Sequence, residues 1–158
     1  MHCKEEQLLS FKADKTFNID KLLSLPKIPT NTEIHFNLNF LSEEFLVELI
    51  NKTQNYKTYL NIDIIGNLAK NGNWFYDKNT DHKILKSIAQ KINTSTNVFT
   101  VNASLYQNAG ATIVQQVAYA LAHVNEYLNF ISNNKNLPVD EIQFHFAVGS
   151  NYFFEIAK

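Results

Sequence analysis

A repeated pattern constrains the fold of this chain more than any other feature: a short alternating segment is followed by an amphipathic one. The first alternating segment is Glu33–Leu41, where every even position from 34 to 40 is apolar and positions 35, 37 and 39 are polar. This period of two predicts a β-strand. Ser42 then provides an N-cap followed by two glutamates, which predicts a helix to about Thr53.

The same unit recurs along the rest of the chain. Three further strands are predicted at Tyr59–Ile65, Val98–Leu105 and Gln143–Val148, and helices near Asp81–Ile92, Thr112–Phe130 and after Gly149. Strands that alternate with helices indicate right-handed βαβ units and a parallel sheet. Periodicity alone leaves two architectures open, half of a (β/α)8 barrel and a small open α/β sheet.

The polar face of the predicted strands favours the barrel. A hydrophilic lining suits a barrel axis better than a sheet face that helices cover. The residues of this predicted lining are His35, Asn37, Asn39, Asn61, Asp63, Asn102 and His145. Residues 1–32 carry a weak apolar pattern closed by Pro26 and Pro29, which disfavour a helix or a central strand there, so they are interpreted as a lead-in segment to a barrel domain at 33–158.

The long predicted helix carries apolar residues at helical spacing. Its small alanines are expected to allow close packing. The apolar positions are Val114, Val117, Ala118, Leu121, Val124 and Leu128.

Composition excludes several classes of protein. No apolar run approaches the ~20 residues of a membrane helix, and no signal segment is recognised, so we expect a soluble, cytoplasmic chain without a membrane partner. The formal net charge is −1 with no basic stripe, which argues against a nucleic-acid partner.

The single cysteine, Cys3, excludes an internal disulfide and a cysteine-cluster metal site. All 14 basic residues are lysines, so the two-point grip of an arginine fork on carboxylates or phosphates is absent.

Individual polar and aromatic residues allow two interpretations each. Asp63 is a general base or, more often for a lone carboxylate, a polar group with internal partners. His145 is a packed histidine or a ligand, and the scattered histidines predict no metal site. The run 74–76 (Trp-Phe-Tyr) is a recognition patch or, more often, a plug of the core.

Three motifs in order are the most specific feature of the chain. They are Gln107-x-Ala109-Gly110-Ala111, Ala118–Ala122 followed by Glu126-Tyr127, and Gly149-x-Asn151 before Glu155–Lys158. In these motifs and their spacing the sequence resembles the adenosylcobalamin-dependent methylmalonyl-CoA mutase family, in its CoA-binding barrel domain. The resemblance implies a (β/α)8 barrel of which this chain holds about half, with four strands.

Three departures from the family pattern bear on catalysis. The resemblance places Leu105 where catalytic chains carry a histidine, and leucine cannot donate a hydrogen bond to a substrate carbonyl. The arginines that hold the acyl carboxylate and CoA phosphates are absent, and so is the cobalamin signature D-x-H-x-x-G. No catalytic residue is therefore predicted, and the weak candidates for substrate binding are Asn102, Ser104 and Gln107.

With these three departures, the sequence resembles the small, non-catalytic subunit of a heterodimeric isomerase. The resemblance implies a catalytic large subunit as partner, and adenosylcobalamin in the holoenzyme but none bound by this chain. Because His35, Asn37, Asn39 and His145 are bulkier than the small hydroxylated residues that line the axis of catalytic barrels in the family, we expect a barrel axis filled by side chains. An isolated half barrel is also expected to self-associate, to open into a flatter sheet, or to cover one edge with its N-terminal segment. Two alternatives stay open: a catalytic relative acting on another acyl-CoA, and a stand-alone α/β binding module.

Overall fold

The structure is a computed structural model and describes residues 8–23, 28–29, 32–92, 95–134, 137, 141–150 and 152–157. Strands and helices alternate along most of this chain. The strands are β1 (Leu8–Ala13), β2 (Glu33–Leu38), β3 (Lys57–Ile62), β4 (Thr96–Val101) and β5 (Gln143–Phe144). The helices are α1 (Ile19–Leu23), α2 (Glu43–Lys52), α3 (Ile64–Asn71), α4 (Lys78–Lys91), α5 (Ser104–Asn108), α6 (Ile113–Asn133) and α7 (Tyr152–Ile156).

The described strands form one parallel sheet whose spatial order is the chain order, β1-β2-β3-β4-β5. A doubly wound sheet reverses direction at a switch point, whereas here each new strand is added on the same side of the last one. Right-handed crossovers in such a sheet place their helices on one face. This is the arrangement of a barrel wall, and the α/β class with a partial TIM-barrel-like architecture is confirmed.

Helix starts follow local side-chain chemistry. Ser42 accepts a hydrogen bond from the backbone N–H of Phe45 at the start of α2, as the sequence predicted, and Asp77 accepts from two backbone N–H groups at the start of α4. Thr112 and Gln115 form a reciprocal capping box at the start of α6. Each cap satisfies N–H groups that have no partner within the helix.

The apolar face of the sheet and the inner faces of the helices make the core. Ile34 and Phe36 of β2, which alternate with polar residues, are fully buried there. The other fully buried large apolar residues are Leu46, Leu49, Leu60 and Ile64, joined by Leu85 and Ile88 of α4, and by Phe99 and Tyr127, whose exposure is 1%.

The sequence did not predict a strand at β1, although covering of a sheet edge by the N-terminal segment was one of its three expectations. β1 pairs in parallel with β2 from Leu8↔Glu33 to Ala13↔Leu38 and so occupies the β2 edge of the sheet. Phe11 stacks on Phe36 with ring centroids 5.9 Å apart, and Phe17 packs edge-on against the same ring at 6.1 Å. Its outward positions are largely exposed, which weakened the apolar pattern in the sequence.

All four predicted strands end three or four residues earlier than the sequence indicated, at Leu38, Ile62, Val101 and Phe144. β4 ends at Val101, and Ser104 and Leu105 lie in the short helix α5 instead of in a strand. β5 comprises only Gln143 and Phe144. The cause at β4 is a turn at Asn102–Ala103, whose backbone bonds return to Val101 and reach His145, so the strand alternation stops before Leu105.

The segment after β3 is also different from the prediction. The sequence predicted no helix between the strand ending at Ile65 and the helix near Asp81, but residues 64–71 form α3. Asp63 caps this helix by accepting from the Gly66 N–H, and Gly72 ends it in the left-handed conformation with φ 73°. Trp74 and Phe75 pack against the core, as a plug would, while Tyr76 is exposed and donates its hydroxyl hydrogen to the Leu41 carbonyl.

Helix α6 buries only part of the apolar stripe that the sequence suggested would pack closely, with Val124 packed against the core. Its inner face is formed by Gln116, Ala120, His123 and Tyr127, all buried. Val114, Leu121 and Leu128 of the stripe are exposed by 78%, 58% and 48%. Tertiary structure has therefore turned the polar and aromatic residues of α6 inward.

None of the described helices has the length and apolar character needed to cross a membrane. Several residues used in the sequence analysis lie outside the described residues: Cys3, Pro26, Asn151 and Lys158.

We expect Phe36→Ala to lower the free energy of unfolding by about 3–5 kcal/mol, because it leaves a cavity against the rings of Phe11 and Phe17. Phe153→Ala is the matched control, since Phe153 is 81% exposed, and we expect it to change stability by less than about 0.5 kcal/mol. Urea denaturation followed by circular dichroism measures both. Equal effects of the two substitutions would contradict the burial of β2.

Candidate functional site

A polar cleft lies at the carboxyl ends of the strands, the edge where α/β proteins usually bind ligands. Its volume is about 230 Å³. Six of the seven residues of the predicted lining border it: Asn37, Asn39, Asn61, Asp63, Asn102 and His145. Its other polar neighbours include Asn67, Lys70 and Thr100. His35 lies elsewhere, stacked on Tyr59 with ring centroids 4.4 Å apart.

The sheet face beneath the cleft carries a row of hydrogen bonds across four strands. Asn37 donates its Nδ2–H to Ser10 Oγ at 2.9 Å, and Asn61 donates its Nδ2–H to Asn37 Oδ1 at 3.0 Å. Thr100 donates its hydroxyl to Asn61 Oδ1 at 3.4 Å. These four side chains satisfy one another, so they can be partly or fully buried while keeping their hydrogen bonds. Because the same bonds occupy these side chains, they restrict the hydrogen bonds that the side chains could make to a ligand.

Asp63 is the most connected side chain of the cleft. Its Oδ1 accepts from the Gly66 N–H at 2.7 Å and from the Tyr127 hydroxyl at 2.9 Å, and its Oδ2 accepts from the Asn102 N–H at 2.8 Å. A Cβ at Gly66 would overlap this carboxylate, so the position requires glycine. Of the two interpretations of Asp63, the polar group with internal partners fits this geometry.

His123 and two tyrosines surround the buried side of Asp63. His123 Nε2 lies 2.9 Å from Asp63 Oδ1 but lacks the angle of a hydrogen bond, and its Nδ1 lies 3.1 Å from the Tyr106 hydroxyl. Burial, and secondarily the negative charge of Asp63, raises the pKa of Tyr127 well above its ordinary value. The same two causes raise the pKa of Tyr106. Both phenols therefore stay protonated, and Tyr127 serves as a hydrogen-bond donor to Asp63.

Of the three weak candidates for substrate binding, the structure brings Asn102 and Ser104 together and separates Gln107 from them. Ser104 Oγ donates to Asn102 Oδ1, and the Ser104 N–H donates to the His145 carbonyl at 2.9 Å. Leu105 borders the cleft as an apolar side chain. Gln107 is not among the residues that line it.

Gln107 instead lies beside the third sequence motif. The Gly149 N–H donates to Glu155 Oε1 at 2.8 Å. A Cβ at Gly149 would lie 2.8 Å from that oxygen and 3.4 Å from Gln107 Nε2. Because Gly149 has no Cβ, the first motif at Gln107 and the third motif at Gly149 can approach each other closely. Packing therefore explains why the two motifs occur together.

Two histidines near the polar face favour the neutral form. Burial lowers the pKa of His35 despite the opposing charge of Glu33, whose carboxylate lies 3.8 Å from its Nε2. Burial also lowers the pKa of His145, against the charge of Asp63. Lys57 donates a hydrogen bond to Glu33 at 2.8 Å and holds the pKa of that carboxyl below its usual range.

The residues of the cleft do not fit a cobalamin cofactor. A volume of about 230 Å³ is far below the size of a corrin macrocycle. Within the described ranges, no three His, Cys, Asp or Glu side chains are grouped to hold a metal ion. No chemical step on this chain is therefore assigned to that group.

Sequence reasoning missed the partners of Asp63. His123 and Tyr127 lie on a helix 60 residues further along the chain, and nothing local marks them as polar contacts. A signal was present in the helix itself, because Gln116, His123 and Tyr127 share one face at spacings of seven and four.

We expect Asp63→Asn to destabilise the fold by about 1–3 kcal/mol, because an amide cannot accept from every N–H and O–H group that the carboxylate serves. Asp77→Asn is the matched control: it changes the same residue type at an exposed helix N-cap, where asparagine caps equally well. Urea denaturation of both variants at pH 7 measures the difference. A smaller effect at Asp63 than at Asp77 would contradict the role assigned to Asp63.

We expect stability to fall as the pH drops from 7.5 to 5.5. Histidines with a lowered folded pKa take up protons more readily in the unfolded chain, so protonation below the ordinary value of 6.5 favours unfolding. His35→Gln should flatten this dependence, while Asn39→Ser, at an exposed position, should leave it unchanged. Urea midpoints measured across the pH range test this, and a steeper dependence in His35→Gln would contradict it.

Comparison with known proteins identifies a family to which this chain is similar. The family model described as methylmalonyl-CoA mutase matches residues 29–158. A methylmalonyl-CoA mutase small subunit from Porphyromonas gingivalis is 44% identical over 64 residues, which are 39% of this chain and 10% of that protein. A methylmalonyl-CoA mutase from Rhizobium meliloti is 39% identical over 66 residues, 39% of this chain and 9% of the relative.

A third relative, a methylmalonyl-CoA mutase from Cereibacter sphaeroides, is 29% identical over 103 residues, which cover 61% of this chain and 14% of the relative. These matches span only about a tenth to a seventh of the relatives' lengths. The family model, however, covers most of the chain, including β2–β5 and the cleft. The chain therefore belongs to the methylmalonyl-CoA mutase family.

Proposed function

We propose that this chain is part of the barrel domain of the small, non-catalytic subunit of a methylmalonyl-CoA mutase. The observation that carries the proposal is the apolar side chain of Leu105 at the cleft, in the position where the resemblance places the histidine of catalytic chains. Leucine supplies neither a proton nor a hydrogen bond to a thioester carbonyl. The P. gingivalis relative, named a small subunit, supports the same assignment.

The size and bonding of the cleft also support a non-catalytic role. Its volume of about 230 Å³ is below the ~300–1,000 Å³ of typical ligand pockets. Asn37 and Asn61 are bonded to each other, and Asp63 is occupied by backbone and tyrosine donors. A ligand would have to break these bonds before it gained its own. This argues for a barrel wall filled by its own side chains.

In this proposal the chemistry belongs to a partner. The holoenzyme would interconvert methylmalonyl-CoA and succinyl-CoA with adenosylcobalamin held by a catalytic large subunit, while this chain contributes a structural surface to the heterodimer. The cytoplasm is the proposed location. The absence of arginine fits this division, since lysines alone cannot provide the planar grip on a carboxylate.

We expect isothermal titration of the purified chain with methylmalonyl-CoA, succinyl-CoA or free CoA to show no binding tighter than about 1 mM. Leu105→His should not create turnover, because it restores neither a carboxylate grip nor a cofactor site. Leu105→Ala is the control for cleft volume, and circular dichroism verifies that both variants fold. Micromolar, ester-selective binding or turnover by this chain alone would overturn the proposal.

The subunit role is tested separately by coexpression with the catalytic mutase chain of the same organism. A tagged version of this chain should then copurify the catalytic chain in a 1:1 ratio, about as expected for a heterodimer. Failure to copurify, together with no binding of CoA esters, would favour a stand-alone binding module.

A further inference from the structure

One asparagine of this chain is followed directly by glycine. The pair is Asn71-Gly72, at the end of α3. Asn71 is exposed, and Gly72 adopts the left-handed conformation with φ 73°, with open space where a Cβ would lie. Glycine has no side chain to shield its own backbone nitrogen. That nitrogen is the group that attacks the preceding asparagine side chain in spontaneous deamidation.

Deamidation at such a pair needs only water and a base. The Gly72 nitrogen gives up its proton and forms a bond to Cγ of Asn71, the Cγ–Nδ2 bond breaks, and ammonia leaves. Water then opens the resulting cyclic imide at either of its two carbonyl groups. The products are an aspartate and an isoaspartate, whose main chain runs through the former side chain. Each product carries a negative charge where the asparagine was neutral.

Hydrogen bonds at the end of α3 hold both reacting groups away from this reaction. The Gly72 N–H donates to the Leu68 carbonyl at 2.8 Å, so its nitrogen is engaged in the helix cap. Asn71 donates its Nδ2–H to Asn67 Oδ1 at 2.7 Å, and Asn67 donates its own Nδ2–H to the Asn73 carbonyl at 2.9 Å. The reaction therefore requires this end of α3 to open, and its rate follows the fraction of chains that are open.

Opening of this helix end breaks few core contacts. Residues 69–73 are exposed, whereas the buried residues of α3, Ile64 and Gly66, lie in its first turn. Helix ends that lack buried apolar contacts open locally at a small free-energy cost. The open state that deamidation requires is therefore accessible without unfolding of the sheet.

We propose that Asn71 is a site of spontaneous deamidation, controlled by opening of the end of α3. The negative charge of the product lies at the carboxyl end of a helix, where the backbone carbonyls already carry partial negative charge. Asn71 also lines the cleft, beside Lys70. Deamidation therefore loosens α3 and changes the charge next to the cleft, and this property is independent of the subunit role proposed above.

The experiment incubates the full chain at mildly alkaline pH and physiological temperature, then cleaves it after lysine for mass spectrometry. Cleavage at Lys70 and Lys78 releases a peptide in which Asn73, followed by the bulky Trp74, is an internal control. We expect deamidation at Asn71 and not at Asn73, and faster conversion in urea than in the folded chain. Equal rates at the two asparagines, equal rates with and without urea, or an intact Asn71 in the folded chain would overturn the proposal.

Asn67→Val tests the control by α3. Valine has about the helix propensity of asparagine but no hydrogen-bonding group, so the variant removes the partner of Asn71 alone. We expect deamidation at Asn71 to become about fivefold faster, the effect of losing one hydrogen bond. Asn79→Val, at an exposed position of α4, is the matched control and should leave the rate unchanged. Circular dichroism verifies that both variants fold, and an unchanged rate in Asn67→Val would contradict the control by α3.

A second measurement tests the effect of the product on α3. Asn71→Asp places the charge of the aspartate product at the helix end, and we expect it to lower the folded-to-unfolded ratio by about two- to fivefold. Asn125→Asp is the matched control, because it adds the same charge at an exposed position in the middle of α6, where the helix dipole has little effect. Urea denaturation measures both, and equal effects of the two substitutions would overturn the loosening of α3.

Discussion

The carboxylate of Asp63 holds together the end of the sheet on which the cleft is built. It terminates β3, caps α3 through the Gly66 N–H, fixes the turn after β4 through the Asn102 N–H, and accepts from Tyr127 of α6. Four elements therefore depend on one buried charge. Such a charge costs desolvation energy unless donors surround it, and here three hydrogen bonds do so.

The two faces of the parallel sheet are stabilised by different interactions. On the helix side, apolar side chains such as Phe36 and Leu60 provide the hydrophobic stabilisation. On the other side, asparagines and Thr100 form a row of hydrogen bonds from β1 to β4. A face whose side chains bond to one another is suited to a structural wall.

Strands and long helices were predictable because their signals are local. Alternation identified β2 and β3, and Ser42 marked the start of α2 within one residue. The prediction was wrong at Leu105, since a turn at Asn102 ends β4 early and places Leu105 in α5. β1 was missed because it lies at a sheet edge with exposed side chains, and its pairing with β2 is not a local property.

By itself the sequence determined the order of the strand–helix units, the polar residues of the cleft and the family motifs, because periodicity and capping act between near neighbours. Only the tertiary structure decided which face of α6 is buried. Hydrophobicity would have turned Val114 and Leu121 inward, but Tyr127 and His123 lie inward beside Asp63. The Asp63 carboxylate needs hydrogen-bond donors, and one of them is the Tyr127 hydroxyl, 64 positions away in the chain. With Tyr127 turned inward, Val114 and Leu121 are left exposed.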